Sequence, residues 1–335
     1  MTHETLAVAA IERLAHAALA AHGASEAQEA PLARAVAAAE RDGIASHGLA
    51  YLPTYCEHLD VGKVLGRAEP LLERTAPGVL VVDAGSGFAH AAIAVGFDSL
   101  VPLAREQGVA TLSVRNSYNC GVLGYHTERL AAHGLVGLGF TNAPASIAPW
   151  GALKPVLGTN PWSLAVPGAG GAALVIDQSA SVVAKSEVMK RARAGAALPP
   201  GWALDADGQP TIDAAAALRG TMMPSGGAKG VGAALLVEVF AACLTGATPG
   251  LRASPFSGPA GGPPRTGQFF VALDPGASSG GAFADRLGEI LAAFAAQPGA
   301  RLPGSRRLAA RARAERDGVA VESGLLARVR ALVPA

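Results

Sequence analysis

Apolar residues return every three to four positions over residues 4–22, which predicts an amphipathic helix closed by Gly23. Ser25 opens a second predicted helix ending near Gly43, with Gln28 three residues on in capping-box position. Val79–Ala84 reads as a short apolar strand, Phe88–Gly108 as a long helix, Val109–Val114 as a strand and 124–133 as a helix. The pattern then changes: Leu135–Asn142, Trp162–Val166 and Leu174–Asp177 have strand character and are spaced by Pro and Gly. Helices are predicted at 181–195 and 232–246, then a Gly/Pro/Ser-rich loop over 248–267 and a strand at Phe269–Leu273. Helix returns at 282–296, 305–317 and 324–333, around a short strand Val319–Glu322. Helical ends around a strand-rich middle predict one part inserted into another, 121–281 between 1–120 and 282–335.

Composition narrows the class. The 335 residues suit about two domains, and 50% apolar content supplies an ample core. A net charge of +1 and 5% aromatic residues argue against a nucleic-acid binder. That average hides a basic run: six arginines against Glu315 and Asp317 make residues 301–317 net +4. Cys56, Cys120 and Cys243 are odd in number and lack CxxC spacing, which suits a reducing compartment and argues against a disulfide framework or cysteine-bound zinc. His3, His16, His22, His58, His126 and His133 lack ligand spacing and read as surface histidines, so no metal is expected. Met1–Leu6 lacks the order of a signal peptide, and the apolar stretch Val231–Ala247 is interrupted by Glu238 and too short to span a bilayer. The expectation is a cytoplasmic protein.

Two tempting motifs fail. Gly85 and Gly87 follow a strand and precede a helix, but His90 stands where a dinucleotide fingerprint needs its third glycine, and the later acidic residue is missing. Pro224–Gly230 lacks phosphate-loop spacing, although its N–H groups beside Lys229 suit an anion. There is no GxSxG elbow.

Three segments carry chemistry. Arg41–Tyr55 places Ser46-His47-Gly48 on a turn after a helix, where a histidine is accessible. Ala148–Pro161 presents Thr159 on a rigid turn, and Ile176–Glu187 ends a strand in Asp177 before a helix carrying Lys185 and Glu187. With Asn116–His126, Leu198–Thr211, Pro224–Gly230 and Arg301–Arg307, these segments resemble, in order and over residues 5 to 330, the malate/L-lactate dehydrogenase-like family of NAD(P)-dependent oxidoreductases. Within it the chain is most similar to reductases of delta-1-piperideine-2-carboxylate and delta-1-pyrroline-2-carboxylate.

The resemblance implies a mixed α/β, non-Rossmann fold in which a largely antiparallel cofactor-binding sheet is inserted between helical N- and C-terminal parts. Residues 1–120 with 282–335 then form the substrate and dimerisation domain and 121–281 the cofactor domain. It implies His47 as proton donor, with Ser46 and Glu187 as its relay; Glu187 is one methylene longer than the aspartate of those reductases. Tyr51, Thr159, Lys185 and Ser186 are implied at the substrate. Cofactor contacts map onto Asn119, Cys120, Gly121, Val122, Leu123, Asp177, Gln178, Ser179, Ala228, Lys229, Arg301, Gly304, Arg306 and Arg307. The basic members suit a pyrophosphate and the 2′-phosphate of NADP, favoured here over NAD.

Two departures matter. Tyr51 replaces an arginine that many members use on the substrate carboxylate, so Lys185 or Arg115 must supply that charge or the substrate differs. Tyr118-Asn119 stands where relatives often carry two histidines, which throws the proton onto His47. The implied function is reduction of a small cyclic imino acid or 2-oxo acid by a homodimer, with no nucleic-acid or membrane partner. The alternatives are a 2-hydroxy acid dehydrogenase of lactate, malate, sulfolactate or ureidoglycolate type and, as Tyr51 and Asn119 allow, a non-catalytic nucleotide binder.

Overall fold

The alternating residues that begin the chain form a strand instead of the predicted first helical turns. In the computed structural model, which describes residues 2–334, β1 (His3–Leu6) leads into α1 (Val8–Ala21), α2 (Glu26–Arg41), a 3-10 turn at Ala45–His47 and α3 (Leu52–Asp60). Next come β2 (Leu71–Ala76), β3 (Val79–Asp83), α4 (Ala89–Gln107), β4 (Val109–Ser117), α5 (Leu123–Ala132) and β5 (Val136–Thr141). β6 (Trp162–Gly168) and β7 (Gly171–Gln178) form a hairpin, followed by α6 (Lys185–Arg193), β8 (Ala203–Leu204), β9 (Pro210–Thr211), α7 (Ala214–Arg219) and β10 (Thr221–Met222). α8 (Ala228–Glu238) runs into a π turn over Val239–Cys243. β11 (Thr266–Leu273), α9 (Pro275–Ser279), α10 (Phe283–Ala295), α11 (Ser305–Asp317), β12 (Val319–Glu322) and α12 (Ser323–Arg330) complete the chain.

The fold is mixed α/β with one large, mostly antiparallel sheet in the order β2-β3-β4-β11-β5-β6-β7. Its single parallel pair, β3 with β4, is bridged by α4; the other neighbours are antiparallel. Strands from both sides of residue 120 are therefore hydrogen-bonded into one sheet. The Gly85 and Gly87 turn serves this β3-α4-β4 unit, whose core joins Leu80, Val82, Leu100, Leu112 and Phe270. α1, α2, α3 and α12 build a second core around Ile11, Leu32, Leu52 and Leu326, and α6, α7 and the small β10-β8-β9 sheet a third around Ile147, Leu157 and Met222.

Four local expectations are corrected. The helix over 4–22 begins at Val8, because β1 pairs with β12 in register His3↔Glu322. The Ser25–Gln28 capping box does not form: Gln28 is fully buried and donates to Ala68 O (2.6 Å) while accepting from Phe88 N (2.8 Å). A buried Phe88 N–H and a half-buried Ala68 carbonyl outbid a solvent-facing cap. The helices predicted at 181–195 and 232–246 start at Lys185 and Ala228. His58 and His126 are buried instead of surface residues: His58 bonds Tyr118 and Gly258 O, and His126 Nε2 bonds Cys120 O at 2.9 Å.

One charged cluster ties distant segments together. Asp42, which caps α2, accepts from Arg311 Nε (2.9 Å) and Nη2 (2.8 Å) and forms an ion pair with Arg307, whose Nε lies 3.1 Å away. Glu128 of α5 accepts from Arg311 Nη1 at 2.8 Å and from Arg307. Burial pushes both carboxyls up, but hydrogen bonds from Arg311, helped by Arg41 at Asp42 and by the Arg307 charge at Glu128, outweigh it and hold both below the ordinary carboxylate range. Their contribution to stability is thus full at neutral pH and fades as pH falls through these lowered values. Arg311→Leu should cost about 2–4 kcal/mol at pH 7, as removal of one partner strands buried charge. Thermal unfolding of both proteins at pH 7 and pH 3 checks this: the gap in Tm should narrow in acid.

Candidate active site

His47 owes its place to the way α2 ends. Gly43 adopts φ +74°, the chain tightens into the 3-10 turn, and the buried Glu40 carboxylate reaches forward to accept from Leu49 N at 2.7 Å. His47 is half-buried on this turn, with Ser46 Oγ 3.0 Å from its Nδ1. Burial lowers its pKa from the ordinary histidine value, and no carboxylate lies in ion-pair range among the described residues. Glu187, the other proposed relay member, instead accepts from Arg191 Nε at 3.0 Å one helical turn away.

The aromatic face of α3 closes one side. Tyr51 and Tyr55 meet edge to face, and Tyr55 OH donates to Asn119 Oδ1 at 3.1 Å. Tyr51 OH is half-sequestered: it donates to Phe256 O at 2.9 Å, and burial raises its pKa to about 12. A neutral hydroxyl with its proton committed is a poor clamp for a carboxylate. Asn119 Oδ1 also accepts from Gly121 N at 3.1 Å, fixing the loop that delivers Val122 and Leu123 to the start of α5. Cys120 points into the core, where burial raises its thiol to about 12.

Asp177, at the end of β7, accepts from Gly124 N at 2.7 Å in the first turn of α5. Gly124 is required by this close approach, since a Cβ there would lie 2.8 Å from Asp177 Oδ2 and from Arg307 Nη1. Burial raises the Asp177 pKa, partly offset by that N–H and by Arg307. Beyond Asp177 the chain leaves the sheet, pinned by the Ser181↔Pro224 bridge and by Ser225 N donating to Ala180 O at 2.8 Å. This pairing sets Gln178 and Ser179 opposite Lys229 across a cavity of about 390 Å³, with Trp162, Ser181 and Ser225 also in its wall. Ala228 and Lys229 open α8, whose free N–H groups and the Lys229 charge, unpaired among the described residues, suit phosphate oxygens.

Of the basic residues at the start of α11, Arg301 and Arg306 are exposed and make no ion pair with the described residues, whereas Arg307 is buried and spent on Asp42 and Glu128. Gly304, at φ +84°, brings this segment against Val175 of β7. Thr159 is half-buried, its carbonyl accepting from Ala180 N at 2.8 Å on the cavity wall. Lys185 and Ser186 begin α6; burial lowers the Lys185 pKa, and no carboxylate compensates it. Arg115 is paired with Asp83 at 3.1 Å. Sequence reasoning missed Ala180, Ser181 and Ser225 in the cavity, and missed Tyr55 and His58, although with Tyr51 they follow the i, i+4, i+7 spacing of one helix face. Among the described residues no group of three or more His, Cys, Asp or Glu is placed to hold a metal, and no helix is long and apolar enough to cross a membrane.

A sequence model of the malate/L-lactate dehydrogenase family matches residues 6–330. The chain belongs to that family. A "(2R)-3-sulfolactate dehydrogenase (NADP(+))" of Chromohalobacter salexigens is 44% identical over 92% of this chain and 90% of its own length. A "Delta(1)-pyrroline-2-carboxylate reductase" of Ancylobacter novellus is 38% identical over 98% and 97%. Among solved structures, delta1-piperideine-2-carboxylate reductase from Pseudomonas syringae pvar. tomato superposes with a TM-score of 0.93 at 35% identity, covering 98% of this chain and 99% of that one. The chain is accordingly an NAD(P)-dependent oxidoreductase of this family.

The unequal surroundings of the neighbouring arginines are testable without any ligand. Arg307→Ala should lower Tm by about 2–3 °C, a loss of a kcal/mol or two from a buried pair, and Arg306→Ala should leave Tm unchanged. Calorimetry on the two variants decides it.

Proposed function

We propose that this chain is an NADPH-dependent reductase of a small cyclic imino acid of pyrroline-2-carboxylate or piperideine-2-carboxylate type. The observation that carries the reading is the Ser46–His47 pair on its rigid turn, 3.0 Å from Oγ to Nδ1, in a chain whose relatives include reductases of that name. The bound dinucleotide supplies the hydride. Its phosphates fit Lys229, the start of α8 and the hydroxyls of Ser179, Ser181 and Ser225, and a 2′-phosphate fits the unpaired Arg301 or Arg306. Arg307 supports that segment from behind instead of touching the ligand.

Adding hydride to C2 leaves a basic nitrogen that needs one proton. Ser46 occupies Nδ1 of His47, so Nε2 is the atom that gives it up. Burial that disfavours the imidazolium makes His47 the stronger acid once loaded. Lys185 is the residue proposed for the substrate carboxylate: Tyr51 and Arg115 are already engaged, and an anion would compensate the desolvated ammonium. Thr159 and Ser186 complete the substrate wall. Glu187 is engaged by Arg191, and its relay role toward His47 is proposed for a site completed by a second copy. A homodimer is supported by α10, where Phe283, Leu287, Ile290, Leu291 and Phe294 share one stripe yet none is buried. In the proposed division of labour 1–120 brings His47 to the substrate, 121–281 supplies the phosphate cavity and the substrate wall of Thr159, Lys185 and Ser186, and 282–335 reaches the cofactor through Arg301 or Arg306.

The sulfolactate dehydrogenase at 44% identity favours a second reading, oxidation of a 2-hydroxy acid with NADP. Initial rates with pyrroline-2-carboxylate, piperideine-2-carboxylate, pyruvate, oxaloacetate and sulfopyruvate separate the two, the imino acids being expected to give the highest kcat/KM. His47→Ala should cut turnover by roughly 10²–10⁴-fold, and near-normal turnover would remove His47 from the mechanism. For the wild type, kcat/KM for reduction should fall with rising pH, its midpoint lying below the ordinary histidine value, and the reverse oxidation should rise through the same range.

A further inference from the structure

Glu238 is the lone acid in a long apolar stretch, and its surroundings are unusual for a buried carboxylate. It is almost fully buried, at the last turn of α8 before the π turn, and no cation lies within ion-pair range among the described residues. Its charge is held by N–H groups alone. Asn160 Nδ2 donates to Oε2 at 2.7 Å, Gly250 N to Oε1 at 2.6 Å, and Asn142 Nδ2 approaches Oε1 at 3.5 Å. Such a group costs stability unless every acceptor site is served, so an apolar side chain would be the cheaper occupant.

What the carboxylate grips is the residue next to Thr159. Asn160 is fully buried and sits at φ +38°, a left-handed conformation that few side chains adopt, and one made harder by the proline that follows. All of its amide is used: Oδ1 accepts from Ala143 N at 3.1 Å, and Nδ2 serves both Ala234 O (2.9 Å) and Glu238. On the other side, Gly158 is packed so closely that a Cβ would lie 2.2 Å from Ala143 O. Thr159 is thus held between a residue with no room and a residue with no freedom, and its carbonyl is tied to Ala180 on the cavity wall. The same helix that holds Asn160 presents Lys229 and Gly230 to that cavity.

We infer that Asn160 and Glu238 are positioning residues: they set Thr159 at a fixed height above the Lys229 cavity, so that the small acid is registered against the cofactor by one helix. This rests on the reading of Thr159 as a substrate contact. Strain of this kind is kept where geometry matters more than stability.

The test uses the full-length protein with NADP bound. Asn160→Gly tolerates the positive φ and removes only the grip; Glu238→Gln keeps shape, but its single oxygen can serve only one of the two donors, Asn160 Nδ2 and Gly250 N. Each should raise KM for pyrroline-2-carboxylate by about 10-fold or more with a smaller change in kcat. Each should also weaken binding of pyrrole-2-carboxylate, a planar acid that accepts no hydride, to the NADP⁺ complex in calorimetry by a similar factor. NADPH affinity, read by nicotinamide fluorescence, should change less than about twofold if the register of Thr159 alone is lost. Thr159→Val should raise KM in the wild type and add almost nothing in the Asn160→Gly background, since the contact is already misplaced. A folded Asn160→Gly protein with wild-type KM, or fully additive effects with Thr159→Val, overturns the inference. If the wild type neither binds pyrrole-2-carboxylate nor reduces pyrroline-2-carboxylate, the imino-acid reading fails instead, and the same KM comparison on the best 2-oxo acid of the panel judges the positioning pair.

Discussion

The cluster of Asp42, Glu128, Arg307 and Arg311 is the constraint on which the site depends. It joins the end of α2, the middle of α5 and the first turns of α11, three places with no sequence proximity. Five residues beyond Asp42 lies His47; at the start of α5 lies the Asn119–Leu123 loop; just before Arg307 lies the turn that packs Gly304 on β7. Buried ion pairs are weak sources of net stability, because desolvation consumes most of the attraction. They are strict about geometry, however, since a carboxylate and a guanidinium fork match in few arrangements. Here that strictness is spent on holding three site-bearing segments in one relation.

This arrangement also explains why local charge reads so differently in sequence and in space. The net +4 of residues 301–317 looks like a phosphate-binding patch. Folding consumes it unevenly: Arg307 and Arg311 turn inward to acids from α2 and α5, Arg316 pairs with Asp317, and Arg301 and Arg306 stay outside. A helix places neighbours 306 and 307 about 100° apart, so the two cannot point the same way. The partners that decide which one turns inward are not visible from position 307.

Much of the fold was legible because its signals are local. The strands Val79–Asp83, Val109–Ser117 and Trp162–Gly168 and the helices α4, α5 and α11 follow from runs of apolar residues and from Gly and Pro. The His47 turn was legible too, as a histidine among small residues after a helix. What escaped depends on distant partners. β1 has too few residues to declare itself without β12, Gln28 abandons its cap for Ala68 and Phe88, and His58 and His126 look solvated until Tyr118 and Cys120 arrive beside them. The cavity walls at Ala180, Ser181 and Ser225 exist only because two loops pair. Glu238 did leave a trace, a single charge in an apolar run, and such a residue needs a reason wherever it is found.

The pairing of β1 with β12 turns the chain into a closed loop, with Thr2 O receiving Ser323 N at 3.0 Å. Joining ends so far apart costs loop-closure entropy that grows with the logarithm of the span, a cost that intervening structure reduces by holding the ends near each other. During synthesis the His47 turn is made before the arginines that anchor its base and before the strand that pairs with β1. The base of the His47 turn is therefore anchored by residues made long after the turn itself. A chain stopped before Arg307 holds β1 to β11 but lacks the arginines that join Asp42 to Glu128 and so set the end of α2 against α5.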